Sequence, residues 1–405
     1  MSRIKDRVLM RMWRDKFSRR FKTPCRKPGI ALIAHGMEQG GVEQVIMDLY
    51  HGYKKRGYRA YIVCQNWVID AVKDKLEAPE DIYVFNNDIF DLVQFLWRRD
   101  VRTLHYHYNV FGMEIFHKFG FRIIYTMHNV YTWMGDEYIR GYAEHLRHAD
   151  YVVPVAESVR KYFCARTGYA EQNLKVINNG VNFADLDLEE ENPPVTRETL
   201  GFDRNDTVIG IIGSFYHAKH QIGMLGVAEK LIDQYPGVKI AFLGGKGDIN
   251  YYRRFTAELN ACKAKDSIRV VPFFNHRYVG TYLRQVVDIF ALPSIHEGNP
   301  LTALEAMYCG KPMVLTPTGL SEELAENAAC LVADAAYENL LTTTDEEIKE
   351  TLSLEKHARN ENSLVKCFSE MIDHLEEYKQ KAEKCRENAK IFSVERMVDE
   401  YISLI

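Results

Sequence analysis

No apolar run in the 405-residue chain reaches the ~18 residues that a membrane-spanning helix requires. The first residues also lack the uninterrupted apolar core of a secretory signal. Eight cysteines are scattered singly: Cys25, Cys64, Cys164, Cys262, Cys309, Cys330, Cys367 and Cys385. None forms a Cys-x2-Cys hook, so the pattern speaks against a zinc ribbon and for reduced thiols in a cytoplasmic protein. Proline is sparse at 12 residues and no low-complexity tract occurs, which excludes collagen-like and broadly disordered classes. A net charge of -4 excludes a whole-chain polycation for nucleic acid. What remains is 46% hydrophobic and 27% charged, the composition of a globular chain of two or three domains.

The charge is unevenly placed. Residues 1–27 hold eleven Lys and Arg against Asp6 and Asp15, although the whole chain has more acids (56) than bases (52). Within residues 3–22 the spacing predicts a helix. Leu9, Trp13, Phe17 and Phe21 recur at i, i+4, extended by Ile4, Val8 and Met12, with Arg and Lys on the other faces. Such a helix can lie peripherally on an anionic membrane surface, or it can pack on the acidic body. Thr23-Pro24 ends it.

From residue 28 apolar runs alternate with helical periods. Strands are expected at Ile30–Ala34, Arg59–Cys64, Ile82–Phe85, Thr103–Tyr106, Arg122–Met127 and Tyr151–Pro154. The pattern lapses around 184–206 into Asp185, Asp187, Glu189, Glu190, Glu191 and Pro193-Pro194, an interdomain connection. It resumes with Thr207–Ile212, Val238–Leu243, Ile268–Pro272, Ile289–Pro293, Pro312–Thr316 and Ala329–Val332. The fold class is therefore α/β, in two doubly wound halves with parallel sheets. Ligand binding is expected at the carboxyl ends of the strands, in a cleft that the halves face across.

The segment richest in chemistry is Leu292–Pro312. A strand stops at Pro293, a loop carries Glu297, Gly298 and Asn299, and Pro300 suits the first turn of a helix that closes at Gly310. Backbone N–H groups of Leu301 and Thr302 would open that helix, a ready site for a diphosphate. Glu305, one turn further in, can accept hydroxyl hydrogens of a ribose. Glu297, in the loop, can do the same for a hexose.

Glu297-Gly-Asn-Pro-Leu-Thr-Ala-Leu-Glu305, after Asp288-Ile-Phe-Ala-Leu-Pro-Ser294, resembles the Glu-x7-Glu signature of retaining GT-B glycosyltransferases, family 4, of the bacterial polysaccharide-assembly type. The resemblance covers nearly all of the chain after residue 28. It implies a GT-B fold of two Rossmann-like domains: residues 28–190 for the acceptor, joined by a returning helix at 391–405, and residues 191–390 for a nucleotide-sugar donor. It implies no cofactor and no metal. It also implies roles for further residues. Gly40-Gly41, followed by Glu43, would touch the donor phosphate or the acceptor. His128, at a strand end, would contact the donor sugar near the reacting carbon. Lys219, six residues after Gly213, would neutralise the diphosphate. The family's Arg after that glycine is Ser214 here, and His217 or His220 stands nearby to compensate in part. Asn299, Pro300, Leu301, Thr302 and Glu305 would complete the donor site. The Gly244–Asp248 turn and Val271–Phe274 would pass the nucleotide, and Asn178–Asn182 is read as structural.

The expected reaction is transfer of a sugar from a nucleoside-diphosphate sugar, UDP favoured, to a carbohydrate or lipid-linked acceptor hydroxyl, with no part for nucleic acid. A nucleotide-sugar 2-epimerase of the same fold and a non-catalytic, membrane-tethered binding scaffold are the alternatives.

Overall fold

A computed structural model describes residues 2–38, 40–188, 193–354 and 358–405. The chain divides into two compact units, one of 1–129, 135–180 and 394–405, the other of 130–134 and 181–393. Apart from the short excursion of 130–134, the chain passes from unit 1 to unit 2 at Gly180/Val181. The acidic Glu189–Glu191 and the boundary expected at 190/191 lie outside the described residues, as does Gln39.

Every strand expected above is present, some longer than expected and others shorter by one or two residues. Unit 1 holds β1 (Gly29–Met37), β2 (Arg59–Val68), β3 (Ile82–Val84), β4 (Val101–His107), β5 (Arg122–Met127) and β6 (Tyr151–Pro154). Unit 2 holds β7 (Thr207–Ile212), β8 (Val238–Leu243), β9 (Ile268–Val271), β10 (Ile289–Leu292), β11 (Met313–Leu315) and β12 (Cys330–Val332). Their order is β3-β2-β1-β4-β5-β6 in one sheet and β12-β11-β10-β7-β8-β9 in the other, with parallel pairing throughout. Strands buried on both faces need continuous apolar runs, which is why Ile30–Ala34 and Thr207–Ile212 read so plainly. Both units thus have Rossmann topology. In each, the strand order reverses between the unit's first and fourth strands, and loops leaving those two strands open a crevice there.

In unit 2 the turns after β7 and β8 meet at Gly244, just past the end of β8. Its φ is +156°, and a Cβ there would lie 2.1 Å from the Gly213 carbonyl oxygen. Only glycine lets the turns after β7 and β8 approach so closely.

The helix Val394–Ile402 packs within unit 1. It buries Met397, Val398 and Tyr401, and Arg56 bonds to Asp399 across 2.5 Å. The Asn178–Asn182 turn is tied down from the same segment: the Arg396 guanidinium donates to the Asn178 carbonyl at 2.7 Å, and the Gly180 N–H points at the Met397 sulfur at 3.2 Å.

The basic helix forms over Ser2–Phe21. Its apolar residues do not make the single stripe read from the sequence. Phe17 is fully buried against Trp97, Phe119 and Phe121, with Trp13 and Phe21 beside it. Leu9, Val8 and Met12 are exposed instead, and the side chain of Ile4 lies outside the described residues. Periodicity showed which residues are apolar. It could not show that two neighbouring arcs of the helix have different fates.

Candidate functional site

The crevice of unit 2 lies between the loops that follow β7 and its neighbour β10. After β7 the chain passes Gly213 and Ser214, then turns through the 3-10 segment His217–Lys219. After β10 it passes Ser294, Glu297 and Asn299 and enters the helix Leu301–Tyr308, with Pro300 as N-cap. That cap makes no side-chain hydrogen bond. The helix start therefore presents N–H groups that the N-cap side chain leaves open, and the positive end of its dipole.

The two loops meet through charge. Lys219 Nζ donates to Glu297 Oε1 at 2.5 Å, and Ser294 Oγ donates to the same oxygen at 2.6 Å. The Glu297 N–H donates to Thr318 Oγ1 at 2.7 Å, which fixes the acid's backbone. Glu297 is 6% exposed, so these partners stand in for water around its carboxylate. Lys219 and Glu297, given separate tasks on sequence grounds, form one ion pair.

Glu305 is 1% exposed. Its Oε1 lies 2.7 Å from His276 Nε2. Its Oε2 is buried and has no hydrogen-bond partner among the described residues. A buried carboxylate oxygen left unpaired costs at least about 1–3 kcal/mol, so it calls for a donor such as a ligand hydroxyl.

Three residues here carried no local sequence signal. Thr318 and Gly319 come from the loop after β11, and a Cβ on Gly319 would lie 2.7 Å from Pro300 Cδ. Asp345 begins the helix Asp345–Leu354. Its buried carboxylate accepts from Thr132 Oγ1 and from Tyr216 OH (3.0 Å), and it stands 3.1 Å from His217 Nε2. Burial alone would raise its pKa, but these bonds and the His217 charge hold it at about 2. His217 is therefore bound to an acid on its own unit. His220 is buried, and burial pushes its pKa down to about 4. A neutral His220 supplies no charge in place of the missing Arg. Ser214 offers only its carbonyl here, accepting from Gln221 Nε2 at 3.0 Å.

In unit 1 the equivalent crevice lies between β1 and β4, with β5 next. Gly40 is the extended N-cap of the helix Gly41–Lys55 and makes no side-chain cap bond. Glu43, in its first turn, has its pKa raised by burial. His128 follows β5 directly. Its Nε2 is 2.8 Å from His107 Nδ1, the two rings are stacked, and its Nδ1 is buried without a partner among the described residues. Burial pushes its pKa down to about 3, so the imidazole is neutral near pH 7. His105 and Thr126 continue inward to Tyr53 and Tyr401: His105 Nε2 lies 2.7 Å from Thr126 Oγ1, and Thr126 Oγ1 lies 2.8 Å from Tyr401 OH. Among the described residues, no three His, Cys, Asp or Glu gather as metal ligands. A separate cavity of about 670 Å³ is lined by Val110, Gly135–Tyr138, Gly141, Tyr142 and His145. None of the residues singled out in the sequence lines it.

The structure thus brings Lys219, Glu297, Asn299, Pro300, Leu301, Thr302 and Glu305 to one crevice in unit 2. It places Gly40, Gly41 and His128 at the carboxyl edge of the sheet in unit 1.

Comparison with known proteins meets this geometry on both units. A family model described as glycosyl transferases group 1 matches residues 194–362, and one described as glycosyltransferase family 4 matches residues 39–185. The D-inositol 3-phosphate glycosyltransferase of Corynebacterium urealyticum is 31% identical over 162 residues, 36% of this chain and 37% of the relative. The Escherichia coli UDP-Gal:alpha-D-GlcNAc-diphosphoundecaprenol alpha-1,3-galactosyltransferase is 25% identical over 217 residues, 49% of this chain and 52% of the relative. Each curated relative is matched over about half its length or less. The crystal structure of Anabaena Alr3699/HepE in complex with UDP and glucose superposes with a TM-score of 0.73, covering 93% of this chain and 100% of that one at 17% identity, a likeness of fold.

Proposed function

Because the chain belongs to the family 4 glycosyltransferases of GT-B fold, we propose that it moves a sugar from a nucleoside-diphosphate sugar to an acceptor hydroxyl, with retention at the anomeric carbon. The observation that carries this reading is the crevice of unit 2. There an uncapped helix start, a lysine and two buried acids converge, and one acid has an oxygen awaiting a donor.

Each part has a task. As the glycosidic C–O bond breaks, negative charge collects on the departing diphosphate, and catalysis depends on groups already aimed at it. The N–H groups of Leu301 and Thr302 take part of that charge, with Asn299 and Pro300 shaping the approach. Lys219 takes more. An ammonium has three N–H donors, so one can stay on Glu297 while two turn to phosphate oxygens. Glu297 then offers Oε2 to hydroxyls of the sugar. Glu305 Oε2 receives a ribose hydroxyl, with Oε1 held by His276.

His128, neutral, acts as a hydrogen-bond donor to the sugar and not as an acid. For Nδ1 to donate, Nε2 must accept, so His107 carries its proton on Nδ1. Gly40 and Gly41 open a second helix start, with the Glu43 carboxylate beside it, toward phosphate or acceptor. These residues supply the site without a cofactor. The acceptor's proton passes to the leaving diphosphate, so no further base is assigned.

UDP is the favoured nucleotide, in line with the UDP and UDP-glucose that Alr3699/HepE carries. The acceptor is carbohydrate or lipid-linked, as in surface polysaccharide assembly and in line with the diphosphoundecaprenol named for the E. coli relative. That would place the protein in the cytoplasm and at the inner face of a membrane. The test is transfer of labelled sugar from a panel of UDP- and GDP-sugars. Lys219→Ala is expected to cut turnover by about 10²–10³, the scale of losing one transition-state donor. Turnover of the variant equal to that of the parent would remove Lys219 from the reaction.

A further inference from the structure

The helix Ser2–Phe21 shows two faces of opposite fate. Trp13, Phe17 and Phe21 face the body of unit 1, where Phe17 lies 5.3 Å from Trp97 and 4.9 Å from Phe121, and the Arg20 guanidinium stacks over Trp97. On another face Val8, Leu9 and Met12 are 55%, 42% and 49% exposed. Lys5, Lys16 and Arg19, also exposed, share that second face. Positions 5, 8, 9, 12, 16 and 19 follow the three- and four-residue steps of one helical stripe.

Three large apolar side chains held in water between cations are an energetic liability that the surface of an anionic bilayer relieves. There Val8, Leu9 and Met12 leave water for the acyl boundary. Lys5, Lys16 and Arg19 meet lipid phosphates, their aliphatic stems covering the apolar edge. A polynucleotide would satisfy the cations and gain nothing from the three apolar groups. Burying them in the protein would have needed the face that Phe17 already occupies. The eleven bases of residues 1–27 give the charge complementarity that such a surface selects.

We propose that the stripe Lys5–Val8–Leu9–Met12–Lys16–Arg19 is a lipid-docking face for anionic bilayers, while the Trp13–Phe17–Phe21 face fastens the helix to the protein. The purpose of the docking, delivery to a lipid-linked acceptor, rests on the proposed function. The docking itself does not.

The test is co-sedimentation of the full chain with vesicles of phosphatidylcholine, either pure or with roughly one-third phosphatidylglycerol. The protein should bind only the anionic vesicles. Val8→Ser, Leu9→Ser and Met12→Ser together should weaken partitioning about tenfold or more. Lys5→Ser, Lys16→Ser and Arg19→Ser should weaken it about fivefold per base at low salt. None of the six changes touches Phe17 or the crevice residues, so transfer to a soluble acceptor should be unchanged in both variants. Helix content and melting temperature should fall only by the small cost of serine in a helix and, for Lys16, of its contact with the Trp13 ring.

Three results would overturn the proposal. The first is no binding of the parent to anionic vesicles. The second is an apolar triple variant that binds as the parent does while binding follows charge alone, the mark of a general polyanion affinity. The third is a concentration-dependent dimer that the apolar variant abolishes, with no vesicle binding. Intact vesicle binding without any sugar transfer would count against the proposed function and leave the docking face standing.

Discussion

At the scale of single residues, burial decides what the titratable groups can do. His128 has its pKa lowered from 6.5 to about 3, so between those values the unfolded chain takes up a proton that the folded chain refuses. Stability therefore falls as pH drops through this window, by about 1.4 kcal/mol per pH unit for His128. Between pH 6.5 and pH 5 that amounts to about 2 kcal/mol. Urea unfolding at the two pH values should show His128→Asn losing about this much of the parent's pH dependence, and an unaltered dependence would contradict the assignment. His105 and His107 are lowered for the same reason and act with the same sign.

Asp345 is the opposite case. Its pKa is depressed to about 2, so its contribution is full above pH 3.8 and is lost only as pH falls through 2. Asp345→Ala would strand the buried hydroxyls of Tyr216 and Thr132, at an expected loss of about 3 kcal/mol in chemical denaturation at neutral pH. A loss under about 1 kcal/mol would show that these partners find others.

Elements explain how such residues come to meet. The helix Leu301–Tyr308 is short and uncapped, and its start is held against the loop after β11. Gly319 there has φ +59°, and an added Cβ would press on Pro300 Cδ at 2.7 Å and Glu297 Cβ at 3.1 Å. Gly319→Ala should therefore weaken donor binding, beyond a backbone cost of about 1–2 kcal/mol. Titration calorimetry beside a melting curve separates the two effects, and unchanged affinity would mean that the helix start tolerates the shift. At the docked end of Ser2–Phe21, Phe17→Ala should remove about 3 kcal/mol of packing and raise hydrogen exchange along that helix.

This scale also shows what a sequence can and cannot reveal. Pro300, Gly310 and the eight-residue spacing of Glu297 and Glu305 are local signals, so the site's spine was legible. Ser294 and Lys219 lie near it, yet their shared oxygen on Glu297 was not, since nothing local says that two useful groups will neutralise each other. Thr318, His276 and Asp345 come from other strands and helices, and only the folded sheet order brings them in.

For the whole molecule, two sheets of the same order lie in one chain, and the alternation of apolar runs with helical periods was enough to read that. Harder to read was the division at Gly180/Val181, because a run of acids around 184–191 looks more like a boundary than a short turn does. The net charge of -4 likewise hides a basic helix whose faces point to two different surroundings. The switch point of unit 2 makes the crevice after β7 and β10 the place where the proposed nucleotide sugar would be held.

The most direct test is calorimetric titration of UDP and of uridine into the parent chain and into Glu305→Ala. UDP should bind the parent far more tightly than uridine, because the diphosphate engages the helix start and Lys219. The variant should lose about 10- to 100-fold for UDP, the scale of a hydrogen bond to a charged group. Equal binding of UDP and uridine, or a variant that binds UDP as the parent does, would contradict the placement of the diphosphate and ribose in that crevice.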